Sequence, residues 1–106
     1  MKVNNIYKDL PESKKEIFED IIDNKSFKLE RIISRGQSSP DGDDWFNQDN
    51  DEWVILLKGS AGLKFEGEDE ITVMQSGDYI HIPAHKRHKV EWTDKNQETI
   101  WLALHY

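Results

Sequence analysis

Two short stretches of this chain hold the side chains best suited to acid–base or metal chemistry. Gly77-Asp78-Tyr79-Ile80-His81-Ile82-Pro83-Ala84-His85-Lys86-Arg87-His88 runs a strand candidate through a proline turn and delivers His88 to the start of the next strand. Upstream, Glu52 opens the apolar run Glu52-Trp53-Val54-Ile55-Leu56-Leu57-Lys58-Gly59, which stops at glycine. A carboxylate and an imidazole buried together need each other as hydrogen-bond partners. Such a pair can also move protons, so Glu52 and His88 are the candidate catalytic residues. Two other histidines have weaker claims. His81 lies inside a strand candidate and reads first as a packed or rim residue, with a place in the substrate pocket as its functional alternative. His105, next to Tyr106, is expected on the surface or at a subunit contact.

Other chemistries lack their parts. There is no cysteine, so disulfides and thiolate metal sites are excluded and any metal would use N and O ligands. Ser34, Ser38, Ser39, Ser60 and Ser76 have no nucleophile-elbow context, and no glycine-rich phosphate loop is present. The segment Asp41 to Glu52 has six acids and no base, but it lacks the ligand pattern of an EF-hand and reads as a solvated loop. Within it Trp45 and Phe46 are candidates for a substrate pocket, whereas Trp53, Trp92 and Trp101 sit on strand candidates and are expected in the core.

The elements that position these groups follow from periodicity. At 106 residues the chain is expected to be one domain. Ser13 and Glu16 have capping-box spacing behind Pro11, and Ile17, Phe18, Ile21 and Ile22 recur as on one helical face. These residues predict an amphipathic helix over 11–23. From Phe27 to Ser34 the period becomes two. Further strand candidates are Trp53 to Leu57, Gly62 to Phe65, Ile71 to Met74, Tyr79 to Ile82, His88 to Trp92 and Ile100 to His105, with an extended piece at Trp45 to Gln48. Turn signals such as Pro40-Asp41-Gly42 and Ser76-Gly77-Asp78 separate them. Short strands at regular spacing predict an all-β sandwich or barrel. The organisation expected is a helical segment over 1–26 packed on a barrel over 27–106.

With 21 acidic and 14 basic residues the net charge is −7, which argues against nucleic acid or an anionic membrane as partner. No run approaches the length of a membrane span, and Met1 to Asn5 has no signal-like apolar region. A cytoplasmic protein is expected. The apolar ending Ile100-Trp101-Leu102-Ala103-Leu104 is either an interior strand or a surface for a homodimer.

The two stretches resemble the paired motifs of the cupins, G-x5-H-x-H-x3,4-E-x6-G and G-x5-P-x-G-x2-H-x3-N, over roughly residues 27 to 106. Gly77, Pro83 and His88 match the second motif, with His85 at its glycine and Trp92 at its asparagine. Glu52 and Gly59 match the first, but its two histidines are replaced by Phe46 and Gln48. The resemblance implies a jelly-roll β-barrel of two antiparallel sheets that binds a small molecule. It also implies a weak, incomplete site for a divalent metal (Fe, Zn, Ni or Mn) held by Glu52, His88, His85 and Gln48. Gln48, Phe46, Trp45 and His81 would form the substrate pocket. Oxygenase, isomerase or lyase chemistry would follow, and the alternative is a metal-free cupin that only binds or senses its ligand.

Overall fold

The structure is a computed structural model describing residues 1–38 and 45–106. The turn expected at Pro40-Asp41-Gly42 and the acids Asp41, Asp43 and Asp44 lie outside the described residues. Among the described residues eight strands follow in order: β1 Ile17–Asp23, β2 Lys28–Ser34, β3 Glu52–Lys58, β4 Ser60–Phe65, β5 Thr72–Gln75, β6 Tyr79–Ile82, β7 His88–Thr93 and β8 Thr99–His105. They form a five-stranded sheet in the order β1-β2-β8-β3-β6 and a three-stranded sheet in the order β5-β4-β7. The strand pairings recorded in both sheets are antiparallel. This is the expected two-sheet barrel.

Among the described residues there is no helix. The stretch read as one is instead turn, coil and β1, which pairs with β2 as an edge strand. Ser13 does accept a hydrogen bond from the backbone N–H of Lys15, but only as a local turn. The β1–β2 register shifts between Asp20 and Ile22. Such a bulge resets the period of two and imitates helical spacing in a short apolar segment.

The core forms where the inward rows of the two sheets meet. Val54 and Leu56 of β3, Ala61, Leu63 and Phe65 of β4, Met74, Ile82, Trp101 and Ala103 are buried against one another. Removing each large aliphatic side chain from water stabilises the fold by about 1.5–3 kcal/mol. Gly59 lets the chain turn from β3 into β4, and so from one sheet to the other: its φ is +91°, and a Cβ there would lie 2.4 Å from Thr99 Oγ1.

Only one of the three strand tryptophans reaches the core. Trp101 is buried, but Trp53 alternates out of the row of Glu52, Val54 and Leu56 and stacks on Tyr79 at 5.5 Å between ring centroids. Trp92 lies across Gly62 and is 37% exposed, because the β4–β7 register shift at Gly62/Leu63 changes its facing. On the outer face of β2 the Arg31 guanidinium bonds Glu19 and the carbonyls of Ile6, Lys8 and Asp9, which ties the N-terminal segment to the sheet. No described helix is long and apolar enough to cross a membrane.

Candidate functional site

The inward rows leave a cavity of about 60 Å³ between the sheets, space for roughly four waters. Its apolar wall includes Ile32, Val54, Leu63, Ile82, Val90 and Trp101; its ionisable groups are Glu16, Glu30, Glu52 and His88. Gln48 and Phe46 also line it, so Phe46, Gln48, Glu52 and His88 of the two motifs share one cavity. Phe46 is placed by a β-bridge to His88 and by ring contact with it at 5.6 Å. The cavity shares Phe18, Glu30, Phe46 and Gln48 with a wider groove of about 550 Å³, lined further by Asn24, Lys25, Lys28, Asn50 and His105.

Glu52 and His88 face each other inside. His88 opens β7 and its Nδ1 lies 3.0 Å from the carbonyl of Lys86, which can only accept. The proton is therefore on Nδ1, and in the neutral ring Nε2 carries a lone pair. Glu52 Oε1 lies 3.5 Å from Nε2, beyond a good hydrogen bond, and is buried with no hydrogen-bond partner among the described residues. Two acceptors in an apolar cavity thus confront one another across a gap that a ligand proton would bridge. Burying an unpaired acceptor costs about 1–3 kcal/mol, an expense typical of functional sites.

His85 does not join them. It occupies the motif's glycine position with φ +67°, a conformation that histidine tolerates better than most residues. Its backbone N–H bonds the carbonyl of Gln48 while its side chain is exposed, 3.9 Å from Asp49. His81 is also turned outward: its Nε2 meets Asp51 at 2.8 Å, and the other Asp51 oxygen accepts the N–H of Ala84. These bonds hold the Asp51 carboxyl below its ordinary pKa, the His81 bond most of all. The pair clamps the Pro83 turn. Trp45 lies under the Lys89 ammonium at 4.7 Å and is not among the lining residues of either cavity.

Three lining groups lay outside the expected set. His105 is half-buried, with Nε2 2.7 Å from Glu30 and Nδ1 3.0 Å from Gln48 Oε1. The Glu30 bond raises its pKa, burial opposes this, and the nearby Glu52 charge adds to the rise. Period two carries the signal for His105 and its partner Glu30, since Glu30 shares a face with Ile32 and Ser34, and His105 with Trp101 and Ala103. Glu16, just before β1, is the third. Burial raises its carboxyl pKa, and a hydrogen bond from the Ser34 hydroxyl opposes the rise.

The model of the family described as "Cupin domain" matches residues 32–105. The chain is a cupin. A structure from Ralstonia eutropha JMP134, described as a "putative mannose-6-phosphate isomerase", is 46% identical and superposes with a TM-score of 0.92 over 99% of this chain and 97% of that one. An RmlC-like cupin with a double-stranded β-helix fold from Methanocaldococcus jannaschii (15% identity, TM-score 0.71, 99% and 92% covered) and TT1209 from Thermus thermophilus (13%, 0.75, 99% and 96%) share the fold. No curated protein matches this cupin in sequence.

Cupins often bind divalent metals. Here Glu52 Oε1 and His88 Nε2 would be the donors, and the His88 Nδ1–carbonyl bond is a usual support for a ligating imidazole. A catalytic zinc or a facial-triad iron uses three protein ligands. Among the described residues no three His, Asp or Glu side chains come together to hold an ion. His85 is turned away and His105 is engaged by Glu30 and Gln48. Among the described residues the strong donors facing the cavity centre are thus Glu52 and His88, fewer than the three such an ion uses, with Gln48 as a neutral amide beside them.

Proposed function

We propose that this cupin binds a small polar carbonyl compound and moves a proton on it, as an isomerase does, with Glu52 and His88 as the catalytic pair. The supporting observation is the buried confrontation of Glu52 Oε1 and His88 Nε2, with Nδ1 committed to the Lys86 carbonyl. His88 Nε2 takes the proton from the carbon beside the carbonyl, and Glu52 stabilises the imidazolium that forms. Return of that proton to the former carbonyl carbon, with the matching hydroxyl-to-carbonyl shift, interconverts an aldose and a ketose.

Size and charge narrow the ligand. The inner cavity accommodates only the reacting carbons, so the remainder lies in the outer groove, where Asn24, Lys25 and Asn50 suit a polar chain, with Asp23 beside them and Lys28 paired to Glu30. Mannose 6-phosphate, prompted by the description of the Ralstonia eutropha relative, is the first probe. With a net charge of −7, a nucleic acid or an anionic membrane is not the partner we propose. Oxygenase or lyase chemistry at a weak ion site would have two strong donors to rest on, which makes proton transfer the better-supported reaction.

The test is proton NMR in D2O with mannose 6-phosphate and a panel of aldose and ketose phosphates. Loss of the signal from the carbon-bound proton beside the carbonyl is expected with the wild type, slower by about 10²–10⁴-fold in His88→Ala. Probe binding without exchange would replace the enzyme by a ligand-binding or sensor cupin.

A further inference from the structure

A carbonyl that loses a proton from the adjacent carbon gathers negative charge on its oxygen and needs a hydrogen-bond donor there. Glu52 Oε1 and His88 Nε2 supply none, since both face the cavity as acceptors. The other polar side chains of the inner wall narrow the choice. No Lys or Arg is among the lining residues, and Trp101 Nε1–H is given to Ser34 Oγ at 3.2 Å. Glu16 is bonded to Ser34, at the opposite end of β2 from Lys28, which pairs with His105. The Gln48 amide is the remaining side-chain donor among the lining residues. Its place is fixed from two sides. Phe46, two residues earlier, exchanges backbone hydrogen bonds with His88 at 2.7 and 3.1 Å, and the Gln48 carbonyl accepts the N–H of His85. On the other side, strand register sets His105 opposite Glu52, and His105 Nδ1 lies 3.0 Å from Gln48 Oε1. His105 Nε2 meets the buried Glu30 carboxylate at 2.7 Å, so the ring is itself held. With an acceptor at each ring nitrogen, both nitrogens donate and Gln48 Oε1 is committed to Nδ1–H. The two N–H donors of the amide are left for the cavity that Gln48 lines.

We propose that His105 is a positioning residue: it turns the Gln48 amide so that its N–H groups donate to the ligand's carbonyl oxygen, which makes Gln48 a further catalytic residue. This rests on the proton-transfer reading above. As His88 Nε2 takes the carbon-bound proton, the electron pair of that C–H bond moves toward the carbonyl and the negative charge gathers on its oxygen. Gln48 meets that charge with a hydrogen bond and transfers no proton. When His88 returns its proton to carbon the charge disappears, so atoms and electrons balance without an oxidant or a reductant. A neutral amide suits this place beside Glu52, because it stabilises the oxygen without neutralising the carboxylate.

Variants of the intact chain decide it, through the D2O exchange of mannose 6-phosphate and the sugar phosphate panel. Gln48→Leu removes the donor at similar volume and should slow exchange at saturating probe by about 10²–10³-fold. His105→Asn and His105→Phe both give up the Glu30 bond, but an asparagine amide nitrogen stands close to the place of Nδ1 and still donates to Gln48. The asparagine variant should therefore exchange near the wild-type rate and the phenylalanine variant about tenfold slower or more. A purely structural His105 would make the two alike. Nitrogen-15 NMR reads the contact without turnover: in the ligand-free chain Gln48→Leu should shift the His105 Nδ1 signal and leave Nε2 near its wild-type position. The wild-type Gln48 amide protons should also move when a probe binds. An unmoved Nδ1 signal, or amide protons that no probe moves, overturns the proposal, as does wild-type exchange that Gln48→Leu leaves unchanged. If the wild type exchanges none of the probes while Nδ1 shifts in Gln48→Leu and the amide protons move with bound probe, the isomerase reading fails and Gln48 stands as a ligand donor positioned by His105.

Discussion

His105 shows how a side chain at a strand end becomes part of a site. Its Nε2 is committed to the Glu30 carboxylate and its Nδ1 to Gln48 Oε1, so both ring nitrogens face acceptors and the charged ring is favoured. Its pKa is raised in the folded chain, chiefly by Glu30. The stability this contributes is therefore fully present below the unfolded value near 6.5 and is lost as pH rises through the folded value. Urea midpoints between pH 6 and 9 should fall with rising pH, and Glu30→Gln should flatten that slope. Glu16 has the same sign in a window that begins lower, since its raised pKa makes ionisation unfavourable above about 4.5. Comparing Glu30→Gln with Glu16→Gln separates the contributions. The sequence pointed to Glu52 and His88 because motif spacing fixes both. It did not point to His105, whose nearness to the C-terminus suggested surface, although the alternation Trp101, Ala103, His105 places it on the inward face.

At the scale of elements, the strands were legible where period two is undisturbed. β6 has its expected bounds, and β2, β3, β4, β5, β7 and β8 differ from expectation by one or two residues at an end. Bulges hid the rest: the one in β1 imitated a helix, and the one opposite Gly62 turned Trp92 outward. His85 illustrates another limit. Its spacing to His88 suited a second metal ligand, but its positive φ, the reason for glycine in the motif, directs the side chain to solvent. The corner at Gly59 carries an element-scale prediction. A methyl group there meets Thr99 Oγ1 at 2.4 Å and Thr99 Cα at 2.8 Å, on a backbone that disfavours any side chain. Gly59→Ala should destabilise the barrel by about 2–4 kcal/mol, read from the urea midpoint at unchanged slope.

For the whole molecule, the two-sheet arrangement puts a polar pair in an apolar cavity and opens it to a larger polar groove. Substitution of the motif's histidine pair by Phe46 and Gln48 keeps the cavity's walls and changes its chemistry. Self-association needs a different surface from the one the sequence offered. Strand β8 is interior, with Ile100, Trp101 and Ala103 buried, whereas edge strand β1 exposes Phe18, Ile21 and Ile22. We expect sedimentation at micromolar concentration to give a homodimer that Ile21→Lys weakens; a persistent wild-type monomer removes that proposal. The central claim is that the buried Glu52–His88 pair transfers a proton without a resident metal. Its most direct test is deuterium incorporation into mannose 6-phosphate and related sugar phosphates by chelator-treated protein. The account predicts incorporation that survives chelation and falls by at least a hundredfold in His88→Ala, whereas no incorporation, or incorporation that chelation abolishes and a divalent ion restores, would contradict it.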